Sequence, residues 1–169
     1  MRLLHYSPKP FTLRPCSYLQ TATYGAPGKP NGLWVSVEGE DDWANWCSSE
    51  MPAWIEGRAV TEIVLKSDAN ILRIENDAQL MVFHEKYGLV PLYEMRAYPR
   101  HLWSKQPSWA RVAETYDGII IAPYQWGRRL DSVVRWYYGW DCASGCIWDM
   151  SVIESCKEAG VAKAIRQER

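Results

Sequence analysis

Long apolar runs are missing from this chain of 169 residues, and no stretch approaches a membrane-spanning helix. The opening Met1-Arg2-Leu3-Leu4-His5 also lacks the extended apolar core of a secretory signal. The expectation is therefore a cytoplasmic protein with no membrane partner. Charge of one sign is barely in excess: the formal net charge of −1 excludes a broad electrostatic nucleic-acid binder, though a local basic patch stays open. Cysteines are few, five in all, odd in number and without framework spacing, which fits reduced thiols better than a disulfide scaffold. Cys142 and Cys146 form a lone CxxxC, and the three histidines (His5, His84, His101) show no ligand spacing, so no metal is expected. No GxGxxG follows a strand and no Walker loop occurs, which removes Rossmann-type dinucleotide use and P-loop chemistry. No cysteine-hydrolase signature surrounds Cys16, Cys47 or Cys142, and no internal repeat is visible.

Phenylalanine is also scarce, with two residues against ten Trp and ten Tyr. Indoles and phenols pack as apolar bodies yet keep a polar edge, so they suit clefts that stack planar rings, plain cores and contacts between chains alike. With 47% hydrophobic residues the chain has enough apolar material for the core of one domain.

Taken in order, Arg2–Tyr6 reads as a first strand stopped by Ser7-Pro8-Lys9-Pro10, with Phe11–Leu13 a further extended piece. Residues Thr21–Asn31, rich in Gly, Pro and small polar residues, read as a loop or lid. Gly32–Val37 alternates clearly, with Leu33, Val35 and Val37 on one face and Trp34 and Ser36 on the other. Asp41 or Asp42 then caps a helix over Asp42–Ser49, where Trp43 and Trp46 share a face, and Pro52 ends it. Ala59–Lys66 reads as a central strand with Ala69–Ile74 as its neighbour. Asp77–Tyr87 has helical spacing, with Leu80, Phe83 and Tyr87 on one face and His84 a surface or boundary histidine. Pro91–Pro107 is irregular, either a substrate loop or a packed connection. Ser108 caps a short helix to Thr115; Tyr116-Asp117-Gly118 is a turn into a buried strand, Gly118–Pro123. Arg128-Arg129 is either a solvated basic pair or a contact for pyrophosphate or nucleic acid. Asp131–Trp136 is a helical turn or an extended arm. Ser151–Arg169 reads as a polar C-terminal helix, charged enough to be partly mobile.

The chemistry concentrates in Trp140–Asp149, where Asp141 and Asp149 flank the apolar run Cys146-Ile147-Trp148. Trp136, Tyr137, Tyr138 and Trp140 crowd its upstream side. Ser144-Gly145 reads as a turn or a close backbone approach into a strand. Carboxylates beside a buried strand and walled by indoles make a dry polar site, or simply end a hairpin.

Four short motifs in order then resemble the ADP-ribosyltransferase superfamily. They are Leu3-Leu4-His5-Tyr6-Ser7, Gly32-Leu33-Trp34-Val35-Ser36, Tyr116-Asp117-Gly118-Ile119-Ile120 and Ile147-Trp148-Asp149-Met150-Ser151-Val152-Ile153. The resemblance implies a single α+β domain over residues 1–169, with a split, mostly antiparallel sheet and short helices around an NAD cleft. It implies NAD as substrate and mono-ADP-ribosyl transfer to a macromolecular acceptor, as in a toxin, a phage-encoded or bacterial modifier, or a defence effector. The near-neutral charge favours a protein acceptor over nucleic acid. By the same resemblance His5 holds a ribose hydroxyl, Tyr6 or Trp34 stacks on nicotinamide, and Ser36 and Ser144 belong to the cofactor-binding set. The family's usual Gly after the first-strand histidine is Tyr6 here. If Asp149 takes the strand-end Asp, the usual catalytic Glu position falls on Ser144, and the acid becomes Asp141, with Asp149 second. Two other readings stand beside it: a nucleotide-binding module without turnover, and an oligomerising protein whose Trp and Tyr form contacts between chains.

Overall fold

The computed structural model describes residues 1–20, 29–90, 96, 100 and 104–164. Its centre is a mixed, mostly antiparallel sheet with few, short helices, an α+β architecture. Seven strands lie in the order β4-β7-β8-β2-β1-β3-β9. They are β1 (Leu3–Ser7), β2 (Leu33–Val37), β3 (Ala59–Leu65), β4 (Ile71–Ile74), β7 (Gly118–Ile121), β8 (Ser144–Ile147) and β9 (Ile153–Val161). Among the described strands only β4 and β7 run parallel, joined by a crossover that contains α3 (Asp77–Tyr87), the small pair β5 (Gly88–Leu89) and β6 (Gln106–Pro107), and α4 (Trp109–Ala113). Parallel neighbours need such a crossover because a tight turn cannot reverse direction twice.

The sheet has two apolar faces, set by the alternation of β2, β7 and β8. Leu33, Val35, Ile120 and Ile147 join Leu3, Ile63, Met150 and Ile153 on one side, where Phe11 and Leu13 pack as irregular chain rather than as a strand. Ile119, Ile121 and Cys146 face the other side, against Leu80, Phe83 and Tyr87 of α3 and the rings of Trp109, Trp136, Tyr137, Trp140 and Trp148. The scarcity of phenylalanine is thus met by an indole-built core. Trp136 packs edge-on to Phe83, Trp109 and Trp140 at centroid distances of 5.5 to 6.3 Å.

Three expectations are corrected. Ala59–Leu65 and Ile71–Ile74 are not neighbours: β3 lies between β1 and β9, whereas β4 is the opposite edge, beside β7. Strand identity follows local β-branching, but partner choice depends on crossovers that local pattern does not encode. The C-terminal segment is no helix; Ile153–Val161 is an edge strand on β3, with register shifts near Val60 and Val64. Its charges, Glu154, Lys157 and Glu158, form the solvated side of an edge, a composition easily mistaken for a solvated helix face. His84 is not at the surface. It is 2% exposed, and its Nδ1 accepts the Trp136 indole N–H at 3.1 Å. Of the two readings of Ser144-Gly145 the close backbone approach is the one realised: the pair lies inside β8, where a Cβ on Gly145 would sit 2.5 Å from the Ile119 carbonyl oxygen.

Several other readings coincide with the structure to within a residue or two. The helix α1 (Trp43–Glu50) is capped by Asp42, whose carboxylate accepts the Asn45 N–H at 2.8 Å, and Pro52 opens a second short helix, α2 (Pro52–Ile55). Ser108 stands at the N-terminus of α4 without a side-chain capping bond. The helical turn read at Asp131–Trp136 is realised three to four residues later, as a 3-10 turn over Arg135–Gly139. Most of the Thr21–Asn31 loop, His101 and much of Pro91–Pro107 lie outside the described residues, as do residues 165–169.

Candidate functional site

The site grows from an incomplete ladder. β1 pairs with β3 from Leu3 to Ser7, but with β2 only at Leu3–Val37 and Leu4–Ser36. Where the second ladder stops, His5 takes over: its Nδ1–H donates to the Trp34 carbonyl at 2.8 Å. That bond fixes the tautomer, leaving Nε2 of the neutral ring as an acceptor. Burial lowers the His5 pKa, and the Trp34 carbonyl opposes the shift by favouring the charged ring. Phe11 packs edge-on against the imidazole at 5.1 Å.

A cavity of about 250 Å³ opens at this gap. His5 and Tyr6 line it from β1, Trp34 and Ser36 from β2, and Asp141, Cys142 and Ser144 from the approach to β8. Trp43, Trp54 and Arg58 contribute from α1, α2 and the turn before β3, and Lys29 and Trp140 complete the wall. Six positions singled out in the sequence (His5, Tyr6, Trp34, Ser36, Asp141 and Ser144) therefore share one cavity.

The chain that carries Asp141 is fixed by backbone hydrogen bonds two residues on, at Ala143. The Ala143 N–H donates to the Asp41 carbonyl at 2.7 Å and the Val37 N–H donates to the Ala143 carbonyl at 2.9 Å, tying the turn before β8 to the junction of β2 and α1. The Asp141 carboxylate has Lys29 Nζ at 4.0 Å. Burial raises the Asp141 pKa above the ordinary carboxylate range, while Lys29 and Arg129 oppose the shift. Lys29 Nζ also lies 5.1 Å from the centre of the Trp34 ring, which in turn packs edge-on against fully buried Trp140 at 4.9 Å. Both serine hydroxyls are engaged: Ser36 Oγ accepts the Trp43 N–H at 2.8 Å, and Ser144 Oγ–H donates to the Cys142 carbonyl at 3.0 Å. Each keeps a further valence, Ser36 its hydroxyl proton and Ser144 its lone pairs.

Asp149 is elsewhere. It lies beyond the far end of β8, accepts the Ser151 N–H at 2.9 Å and caps the 3-10 turn Met150–Val152. Hydrogen bonds from Ser151 lower its pKa. Asp117 ties β4 to β7 by accepting the Asn70 N–H at 2.8 Å. Of the basic pair, Arg128 bridges Asp77 at 3.2 Å and Asp131 at 2.7 Å, while Arg129 lies over Trp126 and Tyr138. Burial pushes the thiol of Cys142 up to about 12 and that of Cys47 up to about 11, so both are protonated at neutral pH and poor as nucleophiles. Among the described residues no group of three His, Cys, Asp or Glu side chains gathers to hold a metal.

Sequence reasoning did not single out Lys29, Trp54 or Arg58. A usable signal was the density of indoles, Trp43, Trp46 and Trp54, immediately ahead of an arginine. Comparisons with protein-family models, with curated proteins and with solved structures found no match.

Proposed function

We propose that this chain transfers ADP-ribose from NAD to a macromolecular acceptor, with a protein favoured over nucleic acid, on an ADP-ribosyltransferase-like fold. One observation carries the reading: residues far apart in sequence, to which the family resemblance gives roles, line a single cavity where the sheet opens. The chemistry asked of them is modest in kind. The bond between nicotinamide and ribose breaks, nicotinamide leaves as a neutral amide, and the ribosyl carbon passes through an oxocarbenium-like state, as in glycoside hydrolysis. A nucleophile on the acceptor closes the new bond and gives up its proton.

In this reading Asp141 supplies the negative charge beside the developing cation. At about 4 Å and an effective dielectric near 20 such a charge is worth about 4 kcal/mol. His5, through the free Nε2, accepts from a ribose hydroxyl, and Trp34 with Tyr6 forms the stacking wall for nicotinamide. Ser36 and Ser144 present their remaining hydroxyl valences to the amide and ribose edges. Asp149, committed to its cap, is the weaker candidate for the acid. The test is transfer itself: purified protein with NAD labelled in the adenylate half, and a cell extract as acceptor source. Label retained on macromolecules after denaturing separation supports the reading. Its absence, with NAD bound, favours a nucleotide-binding module without turnover, for which the Lys29–Asp141 contact is the supporting feature.

A further inference from the structure

Trp43, Trp54 and Arg58 line the same cavity as His5 and Asp141, yet none has a task in the transfer chemistry. Trp43 stacks on Trp46 at 5.0 Å and 15°, and Trp54 leans on both at 6.1 and 6.2 Å. Despite these neighbours Trp54 is 48% exposed, a large indole surface left open beside a cavity. Arg58 donates its Nε–H to the Trp54 carbonyl at 3.0 Å, which locks the guanidinium to the indole's own helix. It forms no ion pair among the described residues, whereas the cavity's other cation, Lys29, has Asp141 beside it. An unpaired guanidinium next to an open indole matches a phosphate attached to a flat, bicyclic base.

We infer that Trp54 and Trp43 with Arg58 form a purine-nucleotide subsite that takes the adenylate half of the dinucleotide and so sets its direction across the sheet. The inference rests on the NAD reading for the ligand's other half. β3, which Arg58 precedes, and β8, which Asp141 precedes, lie three strand spacings apart, a lateral offset of about 14 Å at 4.8 Å each, and run antiparallel, so the two residues approach the cavity from opposite strand ends. A cavity of about 250 Å³ falls below the usual range of roughly 300–1,000 Å³ for pockets that enclose a whole drug-sized ligand. Only part of a dinucleotide fits inside, and the remainder must lie on surface such as Trp54 offers. The reacting ribose belongs with Asp141 and His5, which leaves the adenylate for the indoles and Arg58.

The experiment is calorimetric titration of the full chain with AMP, adenosine and nicotinamide mononucleotide, alongside nicotinamide release from NAD. AMP is expected to bind, with Trp54→Ala weakening it roughly tenfold or more and Trp54→Phe much less, since a phenyl ring still stacks. Arg58→Ala should weaken AMP tenfold or more while changing adenosine less than threefold, and neither substitution should move nicotinamide mononucleotide comparably. Circular dichroism checks each variant for folding, and Trp54→Gln and Arg58→Gln, which also remove the ring and the charge, stand in where an alanine variant fails to fold. AMP affinity equal in wild type and both variants overturns the inference. So does nicotinamide release from NAD without AMP binding, a result that leaves the transferase reading standing. AMP binding with the expected losses but no nicotinamide release supports the subsite and removes the transferase reading.

Discussion

Lowering the pH should destabilise this protein in part through one buried ring, that of His84. His84 on α3 is 2% exposed and accepts the Trp136 indole N–H on Nδ1. An indole N–H can only donate, so Nδ1 must be unprotonated in the native state. Burial lowers the His84 pKa; Glu85 and Asp131 favour the charged ring and Lys105 opposes it. The folded value is thus depressed below the unfolded one, near 6.5. A depressed histidine contributes stability that is fully present above the unfolded pKa and is lost as pH falls, because the unfolded chain takes a proton the native chain refuses. The limiting slope is about 1.4 kcal/mol per pH unit, so His84 accounts for up to about 2 kcal/mol between pH 7 and 5. Urea denaturation across that range should show wild type losing stability more steeply than His84→Gln, whose amide oxygen still accepts the indole N–H. His5, also depressed, remains in both proteins and leaves a residual slope. Parallel curves for the two proteins would refute the buried, neutral assignment of His84.

Two further expectations follow from the site's surroundings. Gly145→Ala places a Cβ 2.5 Å from the Ile119 backbone oxygen, a neighbour that cannot turn aside, so the urea midpoint should drop by the equivalent of about 2 kcal/mol; a loss under about 0.5 kcal/mol would show that β7 and β8 are not so closely joined. Because burial raises the Asp141 pKa, turnover should be lost, as pH falls, at a higher pH than an ordinary aspartate would give, and Lys29→Met should push that limb higher still; a limb unmoved by Lys29→Met would separate the lysine from the acid.

Much of this was legible in the sequence because it is local. The alternation of Leu33, Trp34 and Val35 fixes which side of β2 faces the cavity, and Asp42 marks the start of α1. The four apolar residues Gly118–Ile121 are buried on both faces, as a continuous run implies. What was not legible depends on distant partners. His84 sits beside the apolar face of α3 by periodicity, and only the arrival of Trp136 makes it a core residue. β9 is a strand because β3 presents an open edge, not because Glu154–Val161 prefers extension. Asp141 and Asp149 are equivalent by composition; the backbone bonds at Ala143 and the cap at Ser151 send one into the cavity and the other away. Arg58 is marked in the sequence only by the indoles that precede it, and its place in the cavity depends on where Trp54 and the β1 gap fall.

The most direct measurement is the rate of free nicotinamide release from NAD, with extract as acceptor source, by wild type, Asp141→Ala and Asp149→Ala. The account predicts release by wild type, a fall on the order of a hundredfold or more in Asp141→Ala, and a rate within a few-fold of wild type in Asp149→Ala. Release that survives Asp141→Ala, or that falls with Asp149→Ala instead, would contradict the assignment of the acid; no release by wild type would contradict the central claim.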